Sequence, residues 1–239
     1  MPRFEPSIWL LMLLAAVVAT TPLAIDMYLP AMPMMATELG TSIGLVQQSL
    51  SIFLAAYGIG MLLFGPLADM LGRRPLAVFG LSGFILASVA LSQVDSIEWF
   101  LAWRALQALA GAAASVVVPG IIRHLYQQHT AKGMSYVSMI MMLAPLVAPA
   151  LGSGVIWLAN WQAIFLFLAM YGLVVVFFSW RYLPEIKSDN GQRRPAFFSG
   201  YLKVFRQKSA WPDIASSMFA SFAFFCFLTA VSFVYIGYF

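Results

Sequence analysis

Seven apolar runs of membrane-spanning length occupy almost the whole chain, near residues 8–35, 44–66, 75–93, 97–120, 133–158, 162–183 and 213–239. A helix needs about 20 residues to cross a hydrocarbon core of roughly 30 Å. The chain is 62% hydrophobic and 9% charged, whereas a soluble domain is roughly a quarter charged. Lipid is therefore the expected solvent. Within it, each backbone N–H and C=O must be satisfied inside the protein, which selects helices. The expected fold class is an all-α membrane protein. It has a six-helix N-terminal bundle (1–183), a cytoplasmic linker (184–212), and a seventh span (213–239) opening an incomplete second bundle.

The charges support this division. Of 13 Lys and Arg residues, 12 fall at the N-terminus or in the segments 67–75, 121–132 and 181–212. The intervening segments near 36–43, 93–97 and 159–161 contain none. An excess of basic residues marks cytoplasmic loops, so the N-terminus is expected in the cytoplasm of a multi-pass inner-membrane protein. The apolar stretch from Ile8 continues to about Met35, too long for the apolar region of a cleaved signal peptide. The net charge of +4 sits in loops rather than on a folded basic face, which excludes a nucleic-acid partner. The single cysteine, Cys226, offers neither a disulfide framework nor a metal knuckle. In the linker, Phe198, Tyr201, Phe205 and Trp211 alternate with Lys203, Arg206 and Lys208, the pattern of a short amphipathic helix at a membrane surface. A lone seventh span after that linker reads as a truncated protein.

Two charges fall within spans. An ionisable residue at bilayer depth is costly and usually faces a cavity or a partner. Asp26 lies some nine residues short of the first span's end, roughly 14 Å of helix. Arg104 lies about 10 Å into the fourth span. The two come from opposite chain directions to similar depth, so an ion pair sharing a polar cavity is expected. Gln107 stands one turn from Arg104 on the same face. Burial favours the neutral acid and a neighbouring guanidinium favours the carboxylate. A balance between them would let Asp26 take and release a proton. The competing readings are a helix-end carboxylate for Asp26 and an Arg104 that snorkels to the headgroups.

Between the second and third spans lies Gly65-Pro66-Leu67-Ala68-Asp69-Met70-Leu71-Gly72-Arg73-Arg74-Pro75, expected as a tight polar hinge. Gly72 permits the turn, Asp69 accepts from backbone N–H groups or an arginine, and Arg73 and Arg74 hold the loop at the membrane face. In the fifth span Pro145 and Pro149 stand four apart, and Ala144, Ala148 and Gly152 form a small-residue stripe. Prolines bend helices; small stripes let them approach closely. Trp99, Trp157, Trp161 and Trp180 fall near span ends and read as interfacial anchors.

These residues carry a resemblance to the major facilitator superfamily. The cassette resembles the loop pattern G-x-L-a-D-r-x-G-r-[RK], and Arg104-Ala105-Leu106-Gln107 resembles the fourth-span pattern R-x-x-Q-G. Ala148-Pro149-Ala150-Leu151-Gly152-Ser153 resembles the antiporter pattern G-P-x-x-G-G. The stretch Ile25-Asp26-Met27-Tyr28-Leu29-Pro30-Ala31-Met32-Pro33 looks like the first span of the Bcr/CflA (bicyclomycin and chloramphenicol resistance) branch of drug:proton antiporters. Met70, Ala108, Ala148 and Ser153 depart from these patterns. The resemblance implies proton-coupled efflux of drugs or other small amphiphilic compounds, with the proton as coupling ion and no other cofactor. It implies that Asp26, Arg104 and Gln107 serve coupling or the cavity. It further implies that Gly65, Asp69, Gly72, Arg73 and Arg74 form the conformational hinge, and that Ala148, Pro149 and Gly152 form the antiporter packing. The implied partners are a small-molecule substrate, lipid and a missing C-terminal half. The residues leave open an exporter of a sugar, amino acid or other metabolite, and a non-transporting fragment. No catalytic or metal-binding constellation appears, so an enzyme is not expected.

Overall fold

The structure is a computed structural model describing residues 8–186 and 199–238. The chain divides into two compact units, Met1–Asp189 and Asn190–Phe239. Among the described residues all regular structure is helical.

In the first unit six passes alternate direction. The first consists of α1 (Ile8–Asp26), a 3-10 turn (Leu29–Ala31) and α2 (Met32–Glu38). Next come α3 (Ile43–Leu71) and α4 (Arg73–Leu91). The fourth pass is α5 (Ile97–Ser115) followed by α6 (Val117–Tyr126), and α7 (Thr130–Leu158) and α8 (Trp161–Tyr182) complete the bundle. Among the described residues five helical stretches are long and apolar enough to cross a membrane, and one of them, Ile97–Leu158, is 62 residues long. It contains the turn Gln127–His129 and so makes two passes.

Helix starts follow capping chemistry. Ser42 accepts from Leu45 N at 3.3 Å, Ser96 from Trp99 N at 3.5 Å, and Asn160 from Ala163 N at 3.0 Å. Each satisfies an amide that the first helical turn leaves without a partner.

Three boundaries differ from the sequence expectation. The first span is not one helix: it breaks at Met27–Tyr28, where Pro30 removes an N–H donor and Leu29 precedes a proline. The second span runs past residue 66 to Leu71, because Pro66 is accommodated inside α3. The fourth continues as α6 to Tyr126.

α4 lies against α5 and α8, α3 packs on α5, and α1 packs on α7, α8 and α5. Small residues set these approaches. A Cβ at Gly80 of α4 would stand 2.6 Å from Ala114 N and 2.7 Å from Ala110 O of α5, so the two backbones are in direct contact. The outward faces carry Leu, Phe and Met side chains, as a lipid-facing surface requires.

Trp161 corrects one expectation. Trp99, Trp157 and Trp180 are exposed, but Trp161 is 1% exposed. Its ring meets Phe100 and Phe165 edge-on, each at 6.1 Å between centroids. Its Nε1 donates to Glu38 Oε2 at 2.6 Å, tying the end of α2 to the start of α8. Trp161→Phe keeps the packing and loses that bond. Because Glu38 is exposed, the expected cost is about 1 kcal/mol, read from unfolding of the purified chain in detergent. An unchanged stability would show the bond to be fully offset by solvation.

In the second unit, α9 (Ser199–Arg206) and a 3-10 turn (Lys208–Ala210) lead into α10 (Trp211–Tyr238). Trp211 Nε1 donates to Phe205 O at 3.1 Å. The turn-rich part of the expected linker, Asp189 to Pro195, lies outside the described residues.

Candidate functional site

The break in α1 leaves carbonyls at a helix C-terminus without intrahelical donors, and such an end favours a cation. Arg104 of α5 fills that role. It is 0% exposed, which excludes snorkelling. Its Nη1 donates to Ala24 O at 3.1 Å and to Gln107 Oε1 at 2.6 Å. Gln107 Nε2 donates onward to Ser88 Oγ at 2.8 Å, and Ser88 Oγ donates to Phe84 O at 2.7 Å. One polar chain thus joins α1, α5 and α4 through the middle of the bundle.

The guanidinium is flanked by aromatic rings. Its Cζ lies 4.4 Å from the centroids of both Tyr28 and Phe53, within reach of their π faces. Tyr28 Oη is 3.0 Å from Ser49 Oγ, which extends the polar contacts to α3. Arg104 Nε and Nη2 are buried with no acceptor among the described residues. The site therefore holds a charge that its surroundings satisfy only in part, an arrangement that stability alone does not favour.

Asp26 is 4% exposed and ends α1 beside the break. The expected ion pair with Arg104 is absent: among the described residues the salt bridge within 4.0 Å is Arg73–Asp69. Arg104 reaches the same stretch of α1 but takes the Ala24 carbonyl instead. The physical reason is the helix break, which presents an orphaned carbonyl to the guanidinium. The carboxyl of Asp26 is left with no hydrogen-bond or ion-pair partner among the described residues.

The α7 stripe meets the same place. Ala144, Ala148 and Gly152 are buried and Pro149 is half-buried, with both prolines inside a continuous α7. A Cβ on Gly152 would collide with the Met27 carbonyl oxygen and stand 2.8 Å from its carbon. Only glycine fits, so α7 touches α1 at the residue after Asp26.

At the opposite, basic end the cassette is less of a loop than expected. Gly65 to Leu71 are helical and only Gly72 is not, at φ 94°, a conformation that favours glycine. The corner is a one-residue joint between two helices. Asp69 Oδ1 lies 3.6 Å from Arg73 Nη2, an ion pair across the joint. The Arg73 guanidinium packs over Gly120 of α6. Arg74 Nη2 donates to the Trp180 carbonyl, one of the last four of α8. Asp69, Gly72, Arg73 and Arg74 are thus gathered where α3, α4, α6 and α8 converge; Gly65 stands apart, two turns back in α3.

Sequence reasoning missed Ser88, Tyr28, Phe53 and the Ala24 carbonyl. A lone serine in an apolar span carries little signal, and a backbone acceptor carries none. Tyr28 was readable as a polar-tipped ring two residues from a buried acid.

Known proteins bear on this geometry. The chain is 31% identical over 220 residues to a bicyclomycin resistance protein homolog of Haemophilus influenzae, covering 90% of this chain and 55% of that protein. It is 39% identical over 167 residues to a chloramphenicol resistance protein of Pseudomonas aeruginosa, covering 69% of this chain and 40% of that one. Among solved structures, the human organic anion transporter MFSD10 (TETRAN) aligns with a TM-score of 0.59 at 19% identity. That alignment covers 76% of this chain and 48% of that one, a likeness of fold. The chain spans about half the length of the curated relatives it matches. It is a multi-pass membrane protein of a transporter family rather than an enzyme family. The sequence model of the Major Facilitator Superfamily matches residues 12–239, and the chain belongs to that superfamily.

Proposed function

We propose that this chain supplies the first six-span bundle, and the opening helix of the second, of a proton-coupled exporter. It acts in a bacterial inner membrane with its N-terminus and basic end in the cytoplasm. Its cargo is drugs or other small hydrophobic or amphiphilic compounds, in keeping with the names of the resistance proteins it resembles. Transport proceeds by alternating access against a C-terminal half, with the proton as the coupling ion.

The observation that carries the reading is Asp26, a buried carboxyl at a helix break without a partner among the described residues. A carboxyl already locked in an ion pair would resist protonation. One without such a partner can exchange a proton whenever a conformational change opens it to water. Its neighbour Met27 rests on Gly152, so movement of α7 against α1 alters the surroundings of the acid directly. The Arg73–Asp69 pair and the Arg74–Trp180 contact close the other end of the same bundle. These contacts would have to break and reform as the halves rock.

The test is drug transport driven by an acid interior in everted membrane vesicles carrying the complete two-half transporter. Chloramphenicol serves as the probe. Asp26→Asn is expected to reduce the gain in rate from the pH gradient about tenfold or more, the scale of losing a group essential to proton transfer. Gradient-independent exchange of the drug persists. Full gradient-driven transport by Asp26→Asn would sink the coupling role. A wild-type protein that ignores all drugs but moves a sugar or amino acid would overturn the cargo.

A further inference from the structure

We infer that Ser88 is a positioning residue for Arg104: its hydroxyl decides which end of the Gln107 amide faces the guanidinium. The consequence for transport rests on the proton-coupled reading above; the effect on Arg104 does not.

The close approach of α4 and α5 makes the contact possible. Gly80, Phe84 and Ser88 recur every fourth residue and share one buried face of α4. Opposite them α5 runs antiparallel. A Cβ at Gly80 would meet the Ala110 carbonyl and the Ala114 amide, and one at Gly111 would stand 3.7 Å from the Phe84 ring. One turn further along α4, Ser88 meets Gln107. Serine is short, and it reaches across because Gly80 lets the two backbones touch. Ser88 and Gln107 are both 0% exposed, so bulk water does not compete for either.

Counting protons then fixes the amide. A glutamine can present its oxygen or its NH₂ in nearly the same space, and its last torsion is broad. Phe84 O can only accept, so the 2.7 Å contact uses the one proton of the Ser88 hydroxyl. Toward Gln107 that hydroxyl offers lone pairs alone. It accepts from Nε2 at 2.8 Å, and Oε1 is thereby turned to Arg104 Nη1 at 2.6 Å. The opposite setting would place an NH₂ against a guanidinium, donor facing donor.

Arg104 depends on that setting. Among the described residues its Nη1 has Ala24 O and Gln107 Oε1, whereas Nε and Nη2 have no acceptor. The amide oxygen is thus one of two acceptors that hold the guanidinium at the break where Asp26 ends α1. Without the Ser88 hydroxyl, Nε2 is a buried donor stripped of its acceptor. Turning to find another carries Oε1 away from Arg104.

The experiment is NMR of the full 239-residue chain in detergent, labelled in its arginine side chains. The Arg104 signals are identified by their loss in Arg104→Met. A guanidinium held by fixed acceptors turns slowly about Cζ–Nε and gives separate Nη lines. In Ser88→Ala, a nearly isosteric change, that rotation is expected to become about tenfold faster, the worth of one hydrogen bond to a charged group. Gln107→Glu separates orientation from packing, because a carboxylate offers an oxygen whichever way it turns. In that background Ser88→Ala should change the rotation by less than about twofold. Unchanged rotation in Ser88→Ala, or equal acceleration in both backgrounds, would overturn the proposal. In the complete two-half transporter, Ser88→Ala should slow gradient-driven chloramphenicol transport about fivefold, at an unchanged half-saturating drug concentration. A normal gradient-driven rate beside altered spectra would overturn the part of Ser88 in transport. A wild type that moves no drug would instead remove the function proposed above, and the spectra would still decide how Arg104 is held.

Discussion

Gly152→Ala is expected to destabilise the bundle by about 3 kcal/mol, toward the upper end of what one inserted methyl costs in a packed interior. The added Cβ would overlap the Met27 carbonyl oxygen and crowd the Met27 carbon and Cα at 2.8 and 3.1 Å. These are backbone atoms, held by a helix break that Arg104 braces through Ala24, and no flexible side chain can swing aside. Either α7 lifts from α1, opening the contact along Ala148 and Ala144, or the break shifts and the Ala24–Arg104 bond goes with it. Gly154→Ala is the control. It lies two residues away in the same helix, and nothing stands within 4 Å of its Cβ. There the methyl should be neutral or stabilising by up to about 1 kcal/mol through helix propensity. Unfolding of both variants in detergent, against the wild type, gives the comparison. Equal stability of the two would mean that α7 and α1 do not touch as described.

The outline of the fold was legible because apolar length is a strong signal and lipid removes the alternatives to helix. The first six spans fall where hydropathy puts them, and Arg104 and Gln107 share a face because three residues make nearly one helical turn. The pairing of Asp26 with Arg104 was not legible. Depth alone brought two opposite charges level, and the simplest inference was that they meet. A backbone carbonyl freed at Tyr28 competed for the same guanidinium, and hydropathy does not register a helix break inside an apolar run. Pro30 and Pro33 were the available clue, since both stand at the starts of short helical segments. Trp161 was misplaced for a related reason. Position near a span end suggests a headgroup anchor, but which way a ring turns depends on neighbours, here Phe100, Phe165 and Glu38. The cassette shows the converse: its residues read as a loop, yet helix propensity carried α3 through Pro66 to the single glycine that had to turn.

Gln107→Leu should destabilise the chain by about 3 kcal/mol, and adding Arg104→Met should restore most of the loss. The ordering follows from what each change leaves behind. In Gln107→Leu the buried guanidinium keeps its charge but loses the 2.6 Å bond from Nη1 to Gln107 Oε1. Nε and Nη2 are already without acceptors, so Ala24 O would be its one remaining hydrogen-bond partner. A charged group stripped of a partner in the interior is among the costliest point changes. Ser88 Oγ suffers less, because it still donates to Phe84 O. Removing the charge as well removes the desolvation cost. Methionine is unbranched and flexible enough to occupy the slot between Tyr28 and Phe53, leaving Ala24 O without its donor and Ser88 Oγ with its bond to Phe84 O. Arg104→Met alone should lie within about 1–2 kcal/mol of the wild type, since the lost hydrogen bonds and π contacts are offset by the charge no longer buried. A double-mutant cycle in detergent reads the coupling directly, and additive losses at the two positions would show that the guanidinium finds another partner. If the cycle closes as expected, Arg104 is a group the bundle holds at a cost in stability. Its retention beside Asp26 is then explained by transport, and Arg104→Met should give a well-folded protein that exports poorly.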